Sequence, residues 1–373
     1  MSRAVETPGS VLIYVGWDFV GDGLMRLPFL RALRNAFPDA EITWLAGRGT
    51  SVYAHTLAPL VAGLVDKVVE EANVGRRWTE LLRPPLAGTA LAGRHFDLVI
   101  DAQRRVGASF LLRRVPHHRF LSGAGSYLLS ELRPAQSRRK PPSLVRQLLD
   151  LVELASGRPA DVAGTPPALP EFDALAAEVL PEGETYVGLA PGAGTPGKRW
   201  PLERYLELGA AQVAAGRRPV VFLGPEESSW TLQVREALPA AVLPLQAEAV
   251  ARLGPSALIT IALAKRLSAA VANDAGVGHM LAAANCPLVS LFGPTSPEKS
   301  APLGGPARVL RAQDHAPSRT GDGGSDAQSD SIENIPLAVV REAVDDLLRD
   351  ATETSAAMRP RGGESRLIGG EVR

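Results

Sequence analysis

A Gly-Asp-Gly triplet, Gly21-Asp22-Gly23, follows the first apolar run of the chain and comes before a helical pattern. In an open parallel sheet this position is the carboxyl edge of a strand, where ligands bind. Glycines there permit close backbone approach, and an aspartate held on such a turn is suited to act as a general base. The residues alone leave open that Asp22 only caps the following helix, and Asp18 competes for either role.

The segment PGAGTPGKRW brings backbone amides, a hydroxyl and two cations together in the second half of the chain. Gly194 leaves amide N–H groups uncovered, and Thr195 adds a hydroxyl. Lys198 and Arg199 lie beside the start of a predicted helix. Together these groups stabilise a diphosphate. The loop is not a Walker A motif, because no Ser or Thr follows the lysine. A simple turn with solvated cations is the alternative.

The segment VANDAGVGHM predicts a second helix N-terminus at the same edge of a sheet. Asp274 is positioned to cap this helix, and Gly276 and Gly278 leave space for a ligand. Free amides there could bind the same anion as the lysine loop, and His279 could donate a hydrogen bond to it. A structural histidine beside a helix cap is the alternative.

Weaker signals come from a turn acid and from basic residues of the first half. Glu226 follows a predicted strand and could bind a ribose diol, or be an ordinary exposed acid. Arg76, Arg77 and Arg104 belong to a larger basic set, most of which we expect to be solvated. Some of that set could line a crevice for an anionic acceptor.

Strands at regular intervals must position these loops. Continuous rather than alternating hydrophobicity indicates that both faces of each strand are covered, as in parallel sheets flanked by helices. The sequence therefore predicts doubly wound α/β domains. The predicted strands, each followed by a helical pattern, are 11–15, 42–46, 98–101, 186–190, 220–223, 268–273 and 288–292.

Loss of periodicity and a gain of prolines over 157–170 predict an interdomain linker and hinge. The polar stretch 304–331 is expected to be a mobile loop. The predicted organisation is a Rossmann-like domain over 1–160, a second Rossmann-like domain over 171–335, a helix over 336–350 packing back toward the first domain, and a disordered tail over 351–373.

Composition excludes several classes of protein. Forty basic and forty acidic residues give no net charge, which argues against a nucleic-acid partner. The single cysteine, Cys286, excludes an intramolecular disulfide and thiolate zinc cages. No metal-ligand, nicotinamide or serine-hydrolase motif is present, so neither a metal nor another cofactor is predicted. We expect a cytoplasmic protein with at most peripheral contact with the inner face of the membrane.

With these motifs in order, the sequence resembles glycosyltransferase family 9, the ADP-heptose:lipopolysaccharide heptosyltransferases. The similarity is spread across most of the chain. LPFLRALRNAFPDAEITWL is similar to the family's opening, and FDLVIDAQ to its "YDLVIDLQ". PGAGTPGKRWPLERYLEL matches the donor-loop pattern, and NDAGVGHMLAAANCPLVSLFGPTSP is similar to "NDSGPMHLAAALGKPVVALFGPTDP".

The resemblance implies a GT-B architecture, in which two Rossmann-like domains face each other across a cleft. It makes 1–160 the acceptor-binding domain and 171–335 the nucleotide-sugar-binding domain. It also implies an inverting, metal-independent transfer of a sugar, most simply heptose from ADP-heptose, to a hydroxyl of a bacterial surface glycan or lipopolysaccharide core. Asp22 becomes the base for the acceptor hydroxyl. Lys198, helped by Arg199 and Thr195, stabilises the departing diphosphate.

The same resemblance implies two sets of binding residues. The partners are a nucleotide-sugar donor, with an ADP-sugar favoured, and a glycan or lipid-linked acceptor. The predicted donor-binding residues are Gly194, Thr195, Arg199, Glu226, Asp274, Gly276, Gly278 and His279. The predicted acceptor-binding residues are Asp18, Gly21, Gly23, Arg76, Arg77 and Arg104.

The chain departs from the family pattern in two loops, which suggests a divergent member. Gly16, Asp18 and Phe19 stand where the family has a basic residue and two small hydroxyl residues. Ala275 replaces a Ser or Thr after the second-domain aspartate. The alternatives are a catalytically inactive GT-B protein that binds a sugar nucleotide or glycan, and a GT-B epimerase or phosphorylase.

Overall fold

Two five-stranded sheets, parallel throughout, organise the chain. The computed structural model describes residues 7–74, 82–135, 141–254, 256–303, 305–316 and 330–358. The first sheet has the strand order β3-β2-β1-β4-β5. Its strands are β1 (Ser10–Val15), β2 (Glu41–Ala46), β3 (Lys67–Val69), β4 (Phe96–Asp101) and β5 (His117–Ser122).

The second sheet has the order β10-β9-β8-β6-β7, and β8 lies at its centre. Its strands are β6 (Tyr186–Ala190), β7 (Arg218–Val221), β8 (Ala269–Asn273), β9 (Leu288–Phe292) and β10 (Ala307–Arg311). The central strands of each sheet are nearly or fully buried, as their continuous hydrophobicity in the sequence predicted. The predicted doubly wound α/β fold is confirmed.

Helices cover both sheets. The twelve α-helices among the described residues are α1 (Val20–Ala36), α2 (Ala58–Val61), α3 (Val106–Leu112), α4 (Leu144–Ser156), α5 (Pro170–Val179), α6 (Leu202–Ala214), α7 (Thr231–Ala237), α8 (Glu248–Ala251), α9 (Ala257–Ala264), α10 (Gly276–Ala283), α11 (Pro297–Ser300) and α12 (Leu337–Met358). Short 3-10 helices span Pro196–Lys198, Pro225–Trp230, Pro244–Gln246, Ala312–His315 and Ile332–Asn334. In the described part of the chain, no helix combines the length and the apolar composition needed to cross a bilayer.

All seven predicted strands are present, and three further strands were not predicted. β3 has three residues, β5 begins with two histidines, and β10 carries an arginine at each of two positions on a sheet edge. Such short or polar strands give no continuous apolar run. The prediction of a mobile loop over 304–331 is wrong where β10 lies, and residues 317–329 are outside the described part of the chain.

The last helix packs on the second domain, which corrects the prediction that it returns to the first. α12 contacts β8, β9, β10 and α6. Its apolar stripe, with Val340, Val344 and Leu347 fully buried, covers one face of the second sheet. The helix continues to Met358, so the predicted disordered tail is wrong for 351–358; 359–373 lie outside the described residues.

The two domains meet through their helices. α1 packs on α4 of its own domain and also on α10 of the second, and α5 packs on α9. One apolar cluster runs through this helical layer and includes Leu30 of α1 and Ile261 of α9, both fully buried. The contact between α1 and α10 brings the loop after β1 close to the loop after β8, the two regions for which chemistry was predicted.

Candidate functional site

Asp22 lies in the first turn of α1 at the junction of the two domains. The helix begins at Val20, so the Gly-Asp-Gly triplet lies inside the helix. The sequence predicted it in the turn before the helix. Phe19 occupies the N-cap position and has no side-chain capping hydrogen bond. Asp22 is therefore not the N-cap of α1. Its half-buried carboxylate has a favourable position near the positive end of the helix dipole.

Asp18 holds the turn between β1 and α1 in place. Its side chain is buried and accepts hydrogen bonds from Trp44 Nε1 at 2.8 Å, from Ser51 Oγ at 2.7 Å and from Val52 N at 3.3 Å. These donors satisfy the carboxylate inside the protein. The hydrogen bonds support a role for Asp18 in positioning the loop that carries Asp22, and its predicted contact with the acceptor stays a prediction.

The two glycines beside Asp22 have different roles. A Cβ atom on Gly21 would meet nothing within 4 Å, so this backbone faces open space. A Cβ atom on Gly23 would lie 2.8 Å from Val52 Cγ2 and 2.9 Å from Leu57 Cδ1. Gly23 is buried and leaves no room for a side chain, and its predicted contact with the acceptor stays a prediction.

Lys198 and Asp274 form an ion pair that joins the two predicted donor segments. Lys198 Nζ lies 2.7 Å from Asp274 Oδ2, which also accepts a hydrogen bond from Thr295 Oγ1 at 2.6 Å. Ser300 Oγ donates to Asp274 Oδ1 at 3.3 Å. The pair fixes the lysine at the entrance to α10, and the serine and threonine hold the carboxylate in place.

The N-terminus of α10 lacks a side-chain cap. The N-cap residue is Ala275, which makes no side-chain hydrogen bond to the helix. The sequence predicted Asp274 at this position. Gly276 is exposed, with open space where a Cβ would lie, whereas Gly278 is buried and in ordinary van der Waals contact. Uncapped amides next to the Lys198 ammonium form a cradle suited to an anion.

The donor loop is held by Arg199. Its Nε donates to the carbonyl oxygen of Ala193 at 2.7 Å, and its guanidinium lies 5.7 Å from the ring centre of Trp230. At the tip of the loop, Gly194 and Thr195 are exposed. The loop that contains Lys198 therefore also carries the exposed hydroxyl of Thr195 and the hydrogen-bonded guanidinium of Arg199.

Glu226, which was predicted to contact a ligand, and its neighbour Glu227 lie in different environments. The Glu226 side chain is 73% exposed, and one of its oxygens lies 3.9 Å from Arg199 Nη2. Glu227 is buried, and its Oε2 accepts a hydrogen bond from Gly224 N at 3.2 Å. Because Glu227 is satisfied within its own turn, Glu226 is the one of the two acids that is free to meet a ligand.

His279 connects the two halves of the site. Burial lowers the pKa of its imidazole, while the charges of Asp274 and Asp22 act to raise it. Asp274 belongs to the second domain and Asp22 to the first, so charges from both domains act on one imidazole. The packing of α1 on α10 brings the predicted base and the predicted anion cradle to the same domain junction.

Arg104 is the predicted acceptor residue that the structure describes at the end of β4. Its backbone is left-handed, with φ at 60°, which is uncommon for a residue with a side chain. Beside it, Gln103 Oε1 accepts a hydrogen bond from Gly16 N at 3.0 Å, so the loops after β4 and β1 are tied together. Arg76 and Arg77 lie outside the described residues.

Sequence reasoning missed an aromatic surface beside Asp22. Trp17 and Phe19 are exposed by 47% and 63%, and their rings stack with centres 6.0 Å apart. The guanidinium of Arg48 lies 5.9 Å from the Trp17 ring centre. Exposed stacked rings at a ligand-binding edge offer an apolar face to a ligand. Two aromatic residues so close to the Gly-Asp-Gly triplet were the available signal.

A cluster with metal-ligand chemistry lies elsewhere. Possible ligand atoms of His95, Asp97 and His118 lie within 4.8 Å of one another. These residues are at the amino ends of β4 and β5, the edge of the first sheet opposite the site. Strand pairing brings them together, so no sequence spacing could have revealed them.

The chain is similar to known proteins over parts of both domains. Residues 87–322 match the sequence model of glycosyltransferase family 9 (heptosyltransferase). The chain is 26% identical over 317 residues to lipooligosaccharide heptosyltransferase 2 of Haemophilus influenzae, covering 80% of this chain and 88% of that protein. It is also 26% identical to lipopolysaccharide heptosyltransferase 2 of Escherichia coli over 351 residues, 89% of this chain and 97% of the relative.

Among solved structures, the fold is similar to that of a family 9 glycosyltransferase from Veillonella parvula. The TM-score is 0.65 at 19% identity, and the match covers 94% of this chain and 99% of the other. At this identity the similarity concerns the fold. Its GT-B arrangement agrees with the two facing α/β domains described above.

Proposed function

The chain belongs to glycosyltransferase family 9, and on this basis we propose that it transfers heptose from ADP-heptose to a hydroxyl group of a bacterial surface glycan. The curated relatives named for lipooligosaccharide and lipopolysaccharide heptosyl transfer support this donor and a lipopolysaccharide core acceptor. We place the reaction in the cytoplasm, with at most peripheral contact with the membrane.

In the proposed mechanism Asp22 is the general base. Its carboxylate takes the proton of the acceptor hydroxyl as that oxygen forms a bond to the anomeric carbon of the donor. The bond from the anomeric carbon to the diphosphate breaks, and its electron pair leaves with ADP. Attack from the face opposite the leaving group inverts the anomeric configuration.

The second domain stabilises the leaving group in this mechanism. Lys198 and the uncapped amides of α10 provide positive charge where negative charge grows on the diphosphate. Arg199 and Thr195 contribute from the same loop. Because fixed cations and amides perform this task, we propose that the transfer needs no metal ion. Glu226 is the proposed contact to the nucleoside ribose.

The observation that carries the proposal is the packing of α1, whose first turn contains Asp22, on α10, whose N-terminus follows Asp274. Asp274 in turn holds Lys198. A base and an anion cradle on opposite sides of one junction are what sugar transfer from a nucleotide donor requires. Exposed rings at Trp17 and Phe19 give the acceptor sugar an apolar face next to the base.

A nucleotide screen tests the donor class. We expect ADP to raise the Tm of the protein more than UDP, GDP or CMP at equal concentration, because only the bound nucleotide stabilises the folded state. ADP-heptose should then release ADP when a lipopolysaccharide core acceptor is added. A larger shift with UDP or GDP would contradict the proposed donor.

The same assay separates the second candidate, an inactive protein that binds a sugar nucleotide. Ala275 and Phe19, which depart from the family pattern, favour this candidate over other non-transferase functions. Binding of ADP-heptose with no ADP release across a broad acceptor panel would support it and would contradict catalysis.

A further inference from the structure

The amino edge of the first sheet carries two histidines and an aspartate side by side. Asp97 and His118 stand at the same level of β4 and β5, because the residues on either side of them are paired in register. His95 comes two residues before Asp97, and alternate residues of an extended chain point to the same face of a sheet. Strand pairing therefore gathers the three side chains on one face.

The distances within this cluster are close to those of a metal site. The possible ligand atoms lie within 4.8 Å of one another, and the rings of His95 and His118 are nearly perpendicular with centres 4.4 Å apart. Donor atoms bound to one zinc ion at about 2.0–2.1 Å lie about 3.3 Å from each other. Both histidines are exposed, so rotation of their side chains can close the remaining gap.

Asp97 is held in the orientation of a metal ligand. Its Oδ2 accepts hydrogen bonds from the backbone amides of Gly9 and Ser10, both at 2.9 Å, and from Ser10 Oγ at 3.0 Å. Among the described residues, no group donates to Oδ1. The protein thus fixes one oxygen and leaves the other for a ligand, as outer hydrogen bonds do for carboxylates that bind metals.

The two imidazoles have no other partner in the described part of the chain. Neither His95 nor His118 forms a hydrogen bond or an ion pair there, and their rings contact each other. The adjacent cation, Arg94, is directed to Glu41, with Arg94 Nη2 2.8 Å from Glu41 Oε2. The ring nitrogens are therefore available to a ligand, and the guanidinium of Arg94 does not occupy the cluster.

We propose that His95, Asp97 and His118 bind a divalent transition-metal ion of the zinc type. Two imidazoles and a carboxylate suit such an ion, whereas Mg²⁺ and Ca²⁺ prefer oxygen ligands. Water completes the coordination, since the cluster is open to solvent. The site is separate from the proposed sugar transfer, because Asp22 follows the carboxyl end of β1 and the cluster lies beside Ser10 at its amino end.

The bound ion joins three strands of the first domain. Asp97 belongs to β4 and His118 to β5, and the hydrogen bonds of Asp97 to Ser10 extend the connection to β1. These ligands come together only in the folded chain, so binding of the ion stabilises the folded state. The role assigned to this ion is structural, and no step of the transfer depends on it.

Zinc binding by the whole chain is the first measurement. The protein is purified without a histidine tag and freed of metal with a chelator, which is then removed. Calorimetric titration at pH 7.5 should find one Zn²⁺ ion per chain, and about 100 μM Zn²⁺ should raise the Tm by roughly 2–5 °C. Mg²⁺ at the same concentration should leave the Tm unchanged, because imidazole is a poor ligand for it.

Variants of the two histidines locate the ion. His95→Asn and His118→Asn each remove one ligand at an exposed position, so both should have the Tm of the metal-free wild type. Their apparent Kd for Zn²⁺ should be at least about tenfold higher than that of the wild type. His55→Asn is the matched control, because His55 is also an exposed histidine of the first domain and lies 3.1 Å from the carboxylate of Glu70. This variant should bind Zn²⁺ like the wild type.

Three results would overturn the proposal. The first is no binding of Zn²⁺ to the metal-free wild type at about 100 μM. The second is an unchanged Kd in both His95→Asn and His118→Asn, which would assign the ion to other groups. The third is an equal rise in Tm with Mg²⁺, which would indicate a general effect of charge. These readouts need no turnover, so they are independent of whether the protein transfers heptose.

Discussion

Lys198 shows how far single residues could be interpreted before their partners were known. The lysine was predicted from its loop to bind a diphosphate, but its ion pair with Asp274 joins residues 76 positions apart. In the same way, Asp18 was predicted to contact a ligand, and its hydrogen-bond donors Trp44 and Ser51 lie 26 and 33 residues away in the sequence. Residue type and local spacing predict chemistry, whereas the tertiary contacts that satisfy a group are not visible in them.

Replacing Lys198 tests the leaving-group role. Lys198→Ala should lower kcat by about 10²–10³-fold, because one preformed donor to the developing charge is lost. Steady-state ADP release with ADP-heptose is the measurement. Lys67→Ala is the control, since Lys67 lies on the edge strand β3 and pairs with Glu41 at 2.7 Å. Equal activities of the two variants would show that Lys198 does not act on the diphosphate.

Among the elements, buried strands were predicted well, whereas polar edge strands were not. β6 and β9 have the predicted bounds, because their residues are nearly all apolar and all are buried. β5 and β10 were not predicted, because histidines interrupt the apolar pattern of β5 and arginines interrupt that of β10. The stripe of α12 predicted an amphipathic helix, but a stripe does not identify the surface that it covers, and the helix was assigned to the wrong domain.

The element α10 predicts a pH dependence of stability through His279. Burial lowers the pKa of this imidazole in the folded protein below the ordinary histidine value of about 6.5. The unfolded chain therefore binds an extra proton first as the pH falls, and folded stability declines below about pH 6.5. Above that pH both states are neutral and the contribution is fully present.

Scanning calorimetry from pH 7.5 to 5.5 measures this effect. The Tm of the wild type should fall more steeply with acidification than the Tm of His279→Gln, which cannot titrate. The difference between the two should grow below about pH 6.5. Equal slopes of Tm against pH for the two proteins would mean that burial of His279 in the folded protein does not lower its pKa.

At the scale of the whole molecule, two α/β domains were predictable and their junction was not. Repeated strand and helix patterns gave the architecture, and the family resemblance gave the GT-B arrangement. The contact of α1 with α10 belongs to a shared apolar cluster that includes Leu30 and Leu281, which no local pattern indicates. The proposed function requires this contact, because it brings the helix that contains Asp22 to the helix that follows Asp274.

The central claim is that a base of one domain acts on a sugar whose diphosphate is held by the other. Single-turnover transfer from ADP-heptose by Asp22→Asn, measured beside the ADP-induced rise in Tm, tests it most directly. We predict that transfer falls by about 10²–10⁴-fold, the usual contribution of a general base, while the ADP shift stays within about 1 °C of the wild type. Transfer at the wild-type rate by Asp22→Asn would contradict the account.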